Sequence, residues 1–435
     1  MKKLFLNFLT ILSGIIFLIG CSNDDDSGTV EEPITFADME SDWVRLTLMS
    51  EGKLEVMQAD SGEMKYNLDT PLTEDARYYT SNSGRYLTVI DRAGGIVRFF
   101  DSGIVNHEDH GHEYQAKWAN AELNTVLPTH YAGSKGHIVI FNDGDGSISY
   151  INEAQLEIPS YQPETFTFTN TVAHHGAGFR LTNGMFAVTF QSETPPEGYE
   201  WGPQMVKYIS SEGEVIDDNG GVEVSGIHGD AVNGDYGVFG STDGIILVDT
   251  DNNINLIANA EGLNAESGNW LGTVKGHDNS NLFFGRSRNL GVFKIDPMAK
   301  SLESIYLGED VANAMFSFDG AYFLVHTNEN KIIVFDAQNG NEITQRNIEI
   351  ANIPELSSKR ENSEIQILQK MEEPSPVLVC SNKFLYVLAP NRTQIKVLKI
   401  ENLSHVHTIE LNSPVLSMMK NGFSLEGDQN PDYEH

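Results

Sequence analysis

The chain is poor in cysteine and in positive charge. Its 435 residues hold 2 cysteines, and 28 lysines and arginines face 62 aspartates and glutamates, a formal charge of −34. Too few basic residues are present to cluster against a phosphate backbone, so nucleic acid is excluded as a partner. The acidic surface keeps the chain soluble and concentrates cations only weakly and without specificity. Cys380 lies in the apolar run VLVCSNKFLYVLA and reads as an inert buried thiol. Cys21 has a separate fate, described below, so no intramolecular disulfide is available. The sequence also lacks a Gly-x-Ser-x-Gly elbow, a P-loop and a dinucleotide fingerprint. No catalytic residue is assigned.

What is present begins with a targeting segment. Lys2 and Lys3 precede the apolar stretch LFLNFLTILSGIIFLIG, which ends in Leu18-Ile19-Gly20-Cys21. This resembles a bacterial lipobox, so residues 1–20 are expected to be a lipoprotein signal peptide and Cys21 the lipidated first residue. The alternative, an uncleaved anchor helix, suffers from a run that is marginal for spanning a bilayer. Residues 21–36 are polar and acidic and read as a flexible tether. Residues 37–425 form the folded domain, and 426–435 a polar C-terminal tail. The Ser-Asn-Asp-Asp-Asp-Ser that follows Cys21 is similar to tethers that carry some Gram-negative lipoproteins to the cell surface. The expected location is the bacterial outer membrane, lipid-anchored, on its periplasmic or cell-surface face.

The 39 glycines and 40% hydrophobic residues suit a protein of strands and turns. One theme recurs from VRLTLMSEGKLEVMQADSGEMKYNL through AYFLVHTNENKIIVFDAQNGNEI to FLYVLAPNRTQIKVLKIENLSHVHTIEL: a strand, a tight turn, then further strands. There are eight copies at a spacing of about 50 residues, the period of a β-propeller. The fold class is therefore all-β, a propeller of eight blades, with seven as the alternative. The first copy lacks an innermost strand, and SPVLSMMKNGFSLEG at the end of the domain can supply it. Closing one blade with both ends of the chain removes the edges of an open ring.

Four histidines recur in consecutive copies, His130, His175, His228 and His277, at intervals of 45, 53 and 49 residues. In a closed ring, equivalent positions face one axis, which gathers these imidazoles into a cluster. Clustered neutral imidazoles are common ligands for transition metals. His174 and Asp230, beside two of them, are weaker candidates. Glycines flank three of the four, which suits a backbone that bends tightly near the site. Taken singly, each histidine is more simply a strand-end residue bonded to backbone, so the argument rests on their register.

A second constellation, Asn106-His107-Glu108-Asp109-His110-Gly111-His112-Glu113, packs three imidazoles and three carboxylates into seven residues. It is expected to be a flexible cation-binding loop that supplies three or four donors and folds over the same mouth. Nitrogen and oxygen donors of this kind suit zinc, and would also take copper or nickel. Asp143-Gly144-Asp145-Gly146 is similar to a calcium loop, but it sits where every other copy turns a hairpin, and a turn explains it.

The runs GRYLTVIDRAGGIVRFFDSGIVNHEDHGHEY, PTHYAGSKGHIVIFNDGDGSI, AHHGAGF, GIHGDA and LFFGRSRNLGVF resemble the AztD family of periplasmic zinc metallochaperones. The resemblance spans residues 44 to 340 and implies a β-propeller that holds Zn2+ and passes it to the solute-binding protein of a zinc ABC transporter. It implies zinc ligands among His107, Asp109, His110 and His112, and among His130, His175 and His228. Two features depart from the family: VEVSGIHGD has no cysteine before its His-Gly, and the lipobox implies a tethered protein. The leading expectation is a monomeric zinc metallochaperone or scavenger. The alternatives are a metal-dependent propeller hydrolase or lactonase, and a partner-binding scaffold with incidental histidines.

Overall fold

The computed structural model describes residues 39–70, 73, 75–107, 110–169, 171–195, 197, 202–216, 221–352 and 375–424. Cys21, Asp109, the signal peptide, the tether and the polar tail lie outside the described residues.

Eight antiparallel sheets follow one another along the chain, seven with four strands and one with three among the described residues. These are the blades of a propeller. Their inner strands are Ser417–Gly422, Arg77–Thr80, Pro128–Ser134, Gly178–Arg180, Ile227–Val232, Thr273–Lys275, Val311–Phe316 and Val377–Cys380, for blades one to eight in turn. Blade one is closed by both ends of the domain. Val44–Ser50 pairs antiparallel with Ser417–Gly422, from Val44 opposite Gly422 to Met49 opposite Ser417. The expectation of eight blades with a shared closing blade is borne out.

Eight apolar clusters fill the structure, one at each junction between neighbouring blades. The strand Lys331–Asp336 of blade seven shows how. Ile333 and Phe335 pack toward blade six, while Ile332 and Val334 pack toward blade eight. Successive side chains leave a strand on opposite faces, and in a propeller both faces meet a neighbour. The strand therefore reads as a continuous apolar run.

Strand direction divides the loops between two rims. In a four-stranded antiparallel blade the first and third strands run the same way. Links from strand two to three, and from strand four to the next blade, open on one rim, here called the front. Links from one to two and from three to four open on the back. This parity decides which side chains can meet.

Candidate metal centre

His130 and His228 sit near the front ends of the inner strands of blades three and five. In both strands the register slips by a β-bulge at this place, between Pro128 and His130 and between Ile227 and Asp230. A bulge re-aims side chains locally. His175 lies in the link from blade three to blade four, just before Gly178–Arg180, on the same rim. One ring nitrogen from each of the three lies within 4.8 Å of the others. Ring centroids are 4.6 Å apart for His130 and His175, 5.7 Å for His130 and His228, and 5.3 Å for His175 and His228.

Second partners fix the rings. His228 Nδ1 donates to the Gly272 carbonyl at 2.7 Å. That approach depends on Gly229 at φ +80°, where a Cβ would stand 2.7 Å from the same oxygen. His175 Nδ1 donates to Asp143 Oδ2 at 2.8 Å, and Arg92 Nη2 donates to the same oxygen at 3.0 Å. Burial alone would push the Asp143 carboxyl up, but the hydrogen bonds from His175 and Arg92 outweigh it and hold the carboxyl below its ordinary range. Both histidines thus carry their proton on Nδ1 and keep the Nε2 lone pair for another partner.

His130 Nε2 lies 3.0 Å from His175 Nε2. Since His175 offers a lone pair there, His130 is the donor in this arrangement. To present all three lone pairs to one ion, His130 must carry its proton on Nδ1, beside Asp230 Oδ1 at 3.9 Å. Burial, then the neighbouring His175 and His228, push the His130 imidazole down to about 3, so it is neutral at physiological pH. Zinc–nitrogen bonds of 2.0–2.1 Å in a tetrahedron place ligand nitrogens about 3.4 Å apart. One pair of nitrogens stands 3.0 Å apart and all three lie within 4.8 Å of one another, an arrangement that such an ion can draw together. Among the described residues the group holds three ligand nitrogens, one fewer than a tetrahedral ion takes.

Three candidates fall outside this group. His174 is buried against Phe141, with Nδ1 bonded to the Val172 carbonyl at 2.7 Å and Nε2 3.3 Å from Thr189 Oγ1. The chain bends at residues 173 and 175, and of the His174-His175 pair only the second reaches the other two imidazoles. His277 is displaced by register. Thr273 in blade six pairs with Arg286 as His130 pairs with Phe141, so His277 lies four residues further on, past the back end of its strand. There its Nε2 bonds the Phe318 carbonyl at 2.9 Å. Asp230 shares a strand with His228 and flanks His130 without joining the nitrogens. Burial pushes its carboxyl up to about 7, against the pull of Lys275.

The second constellation is a pair of short strands, Ile104–His107 against His110–Glu113, where a loop was expected. It is inserted between the third and fourth strands of blade two. His110 opposes His107, His112 opposes Val105, and the three imidazoles share a face, one nitrogen from each within 4.8 Å of the rest. Gly111 faces the other way, where a Cβ would stand 2.5 Å from the Trp43 ring. A link from strand three to four opens on the back rim, so the hairpin cannot fold over the front histidines. An inner strand, roughly 20 Å at 3.3 Å per residue, separates the two rims.

Asp143 was missed as a functional residue because its turn was sufficient to explain it. The turn is there, with Asp145 Oδ1 accepting from Ser147 N at 3.0 Å. Yet a link from strand two to three opens on the front rim, and this was the signal that Asp143 could reach His175.

No family model matches the chain. Among solved structures, the chain is similar to apo AztD from Citrobacter koseri, at 18% identity and a TM-score of 0.71, over 88% of this chain and 99% of that one. A second structure of Citrobacter koseri AztD gives 19% identity and a TM-score of 0.71, over 88% of this chain and 98% of the other. Dihydro-heme d1 dehydrogenase NirN in complex with DHE is more distant, at 12% identity and a TM-score of 0.50, over 89% of this chain and 78% of that one. At such identities the likeness establishes the fold, and the fold hosts more than one chemistry.

Proposed function

We propose that this chain is a zinc-binding metallochaperone or scavenger of the AztD kind, holding Zn2+ on His130, His175 and His228. The observation that carries the reading is the convergence of three imidazole nitrogens within 4.8 Å, two of the rings oriented by Asp143 and the Gly272 carbonyl. Neutral imidazoles held by second partners are what a transition-metal site requires. The resemblance noted in the sequence points to the same ion. His107, His110 and His112 form a separate zinc site. The two sites lie on opposite rims, so the hairpin does not pass its ion to the ring by contact.

The fourth position at the ring site suits exchange: a ligand from a receiving protein binds there before the imidazoles let go. In this reading the receiver is the solute-binding protein of a zinc transporter, and Cys21 tethers the propeller to the outer membrane.

Metal analysis of the purified protein, with competition against a chromophoric zinc chelator, tests the proposal. The intact chain should bind two zinc ions, one at each histidine group. Alanine at His130, His175 and His228 together should abolish the tighter one. Unchanged zinc content in that triple variant would refute the assignment. An open position on a three-histidine zinc also suits hydrolysis. Ester or lactone turnover by the zinc-loaded protein, lost in His175→Ala, would favour an enzyme instead.

A further inference from the structure

The inner strands invert the charge balance of the chain. Across the sequence acids outnumber bases by 62 to 28, yet the eight inner strands carry Arg77, Arg180, Lys275 and Lys420 against Asp230 alone. Three of these bases are engaged, Arg77 with the Tyr79 hydroxyl. Arg180 lies over the Tyr150 ring, and Lys420 Nζ donates to the Gly422 carbonyl at 2.6 Å. Lys275 is different. It lines an axial cavity of about 580 Å³, and its ammonium has no hydrogen bond or ion pair among the described residues. Burial pushes its ammonium below the usual lysine range, and Asp230, on the neighbouring inner strand, pulls the other way without reaching ion-pair distance.

The cavity lies among the inner strands of blades two, six, seven, eight and one, with Tyr79, Asn313, Met315, Val379 and Met419 in its wall. On the back rim it is flanked by a strap from blade six. Asp278 crosses the ring to accept from Asn82 Nδ2 at 3.0 Å and from Lys135 N at 2.7 Å, and it also bonds Ser134. Asp319 is likewise occupied, accepting from Ser317 Oγ at 2.6 Å and Ala321 N at 3.1 Å. The acids at this end are spoken for, and the ammonium of Lys275 is not. Pockets that take small organic ligands span roughly 300–1,000 Å³ and pair an apolar wall with a few polar anchors.

We propose that the axial cavity is a binding site for a small organic anion, its carboxylate paired with Lys275 and its apolar body against Met315, Val379 and Met419. The site is independent of the zinc reading. A lumen of this sign also disfavours passage of a divalent cation between the two rims.

The test is a fluorescence titration of the full chain with 8-anilinonaphthalene-1-sulfonate, in EDTA so that metal plays no part. One probe should bind per chain, displaced by 2-naphthoate and not by the uncharged 2-naphthamide. Lys275→Met keeps the length of the side chain and should weaken binding by about tenfold or more, as loss of a charge-assisted contact predicts. Lys275→Arg should retain it. Far-UV circular dichroism and thermal melting establish that each variant is folded. No saturable binding, equal affinity in Lys275→Met, or equal displacement by the amide would each overturn the proposal.

Discussion

Asp143 decides which nitrogen of His175 is free. Its carboxylate accepts from Nδ1, so Nε2 faces the other imidazoles. Asp143→Asn replaces that acceptor with a group that can rotate and donate. Loss of such an outer partner costs about 10- to 100-fold in metal affinity. The variant should show that loss in chelator competition while its fold is unchanged. His130 governs a pH dependence. In the folded chain its imidazole is pushed down to about 3, whereas unfolded histidine protonates near 6.5. The unfolded state therefore binds the extra proton between these values, and stability falls as pH drops from about 6.5 toward 3. His137, pushed down to about 4 by burial and then by Arg180, adds to the same trend. Thermal melts in chelator should show the midpoint falling across this window, with a shallower slope in His130→Gln.

The hairpin of blade two is an element with a dedicated anchor. Its His-Gly-His alternation puts imidazoles on one face and Gly111 against Trp43, whose ring stacks on Phe423 with centroids 5.8 Å apart. Gly111→Val has no room for its side chain and should lift the hairpin away. Calorimetry should then find one zinc ion fewer, with the ring site unchanged. The hairpin's chemistry was legible from composition, since three histidines in six residues need no structure to be noticed. Its placement was not, because it depends on whether the segment joins two blades or two strands of one blade. Similar reasoning separates the ring histidines. A spacing near the repeat length brought His130, His175 and His228 together, yet the same spacing admitted His277, four residues out of register. Repeat arithmetic locates a blade, while the pairing of individual residues locates a rim.

At the scale of the whole molecule, the fold was legible because each blade is built by the same local rule. Strands of five or six residues, tight turns and a period near 50 leave little room for another architecture. The alternation usually used to recognise strands was faint, because both faces of most strands are covered by neighbours. Closure depends on one late segment. Met418 is fully buried in the cluster between blades eight and one. Met418→Ala should cost about 2–5 kcal/mol in urea unfolding, as for other large-to-small changes in a packed core. A much smaller loss would mean that the ring does not depend on this junction.

That closing strand makes the finished shape wait on a late segment of the propeller. Ser417–Gly422 leaves the ribosome after the other described strands of the propeller, so until then Val44–Ser50 waits with one side of its backbone unpaired. A polypeptide terminated early would keep that ladder of amides and carbonyls open, the kind of edge on which separate molecules zip together. Prematurely stopped products should therefore associate with one another, and a short peptide carrying residues 412–424 added in trans should return them to single particles in sedimentation.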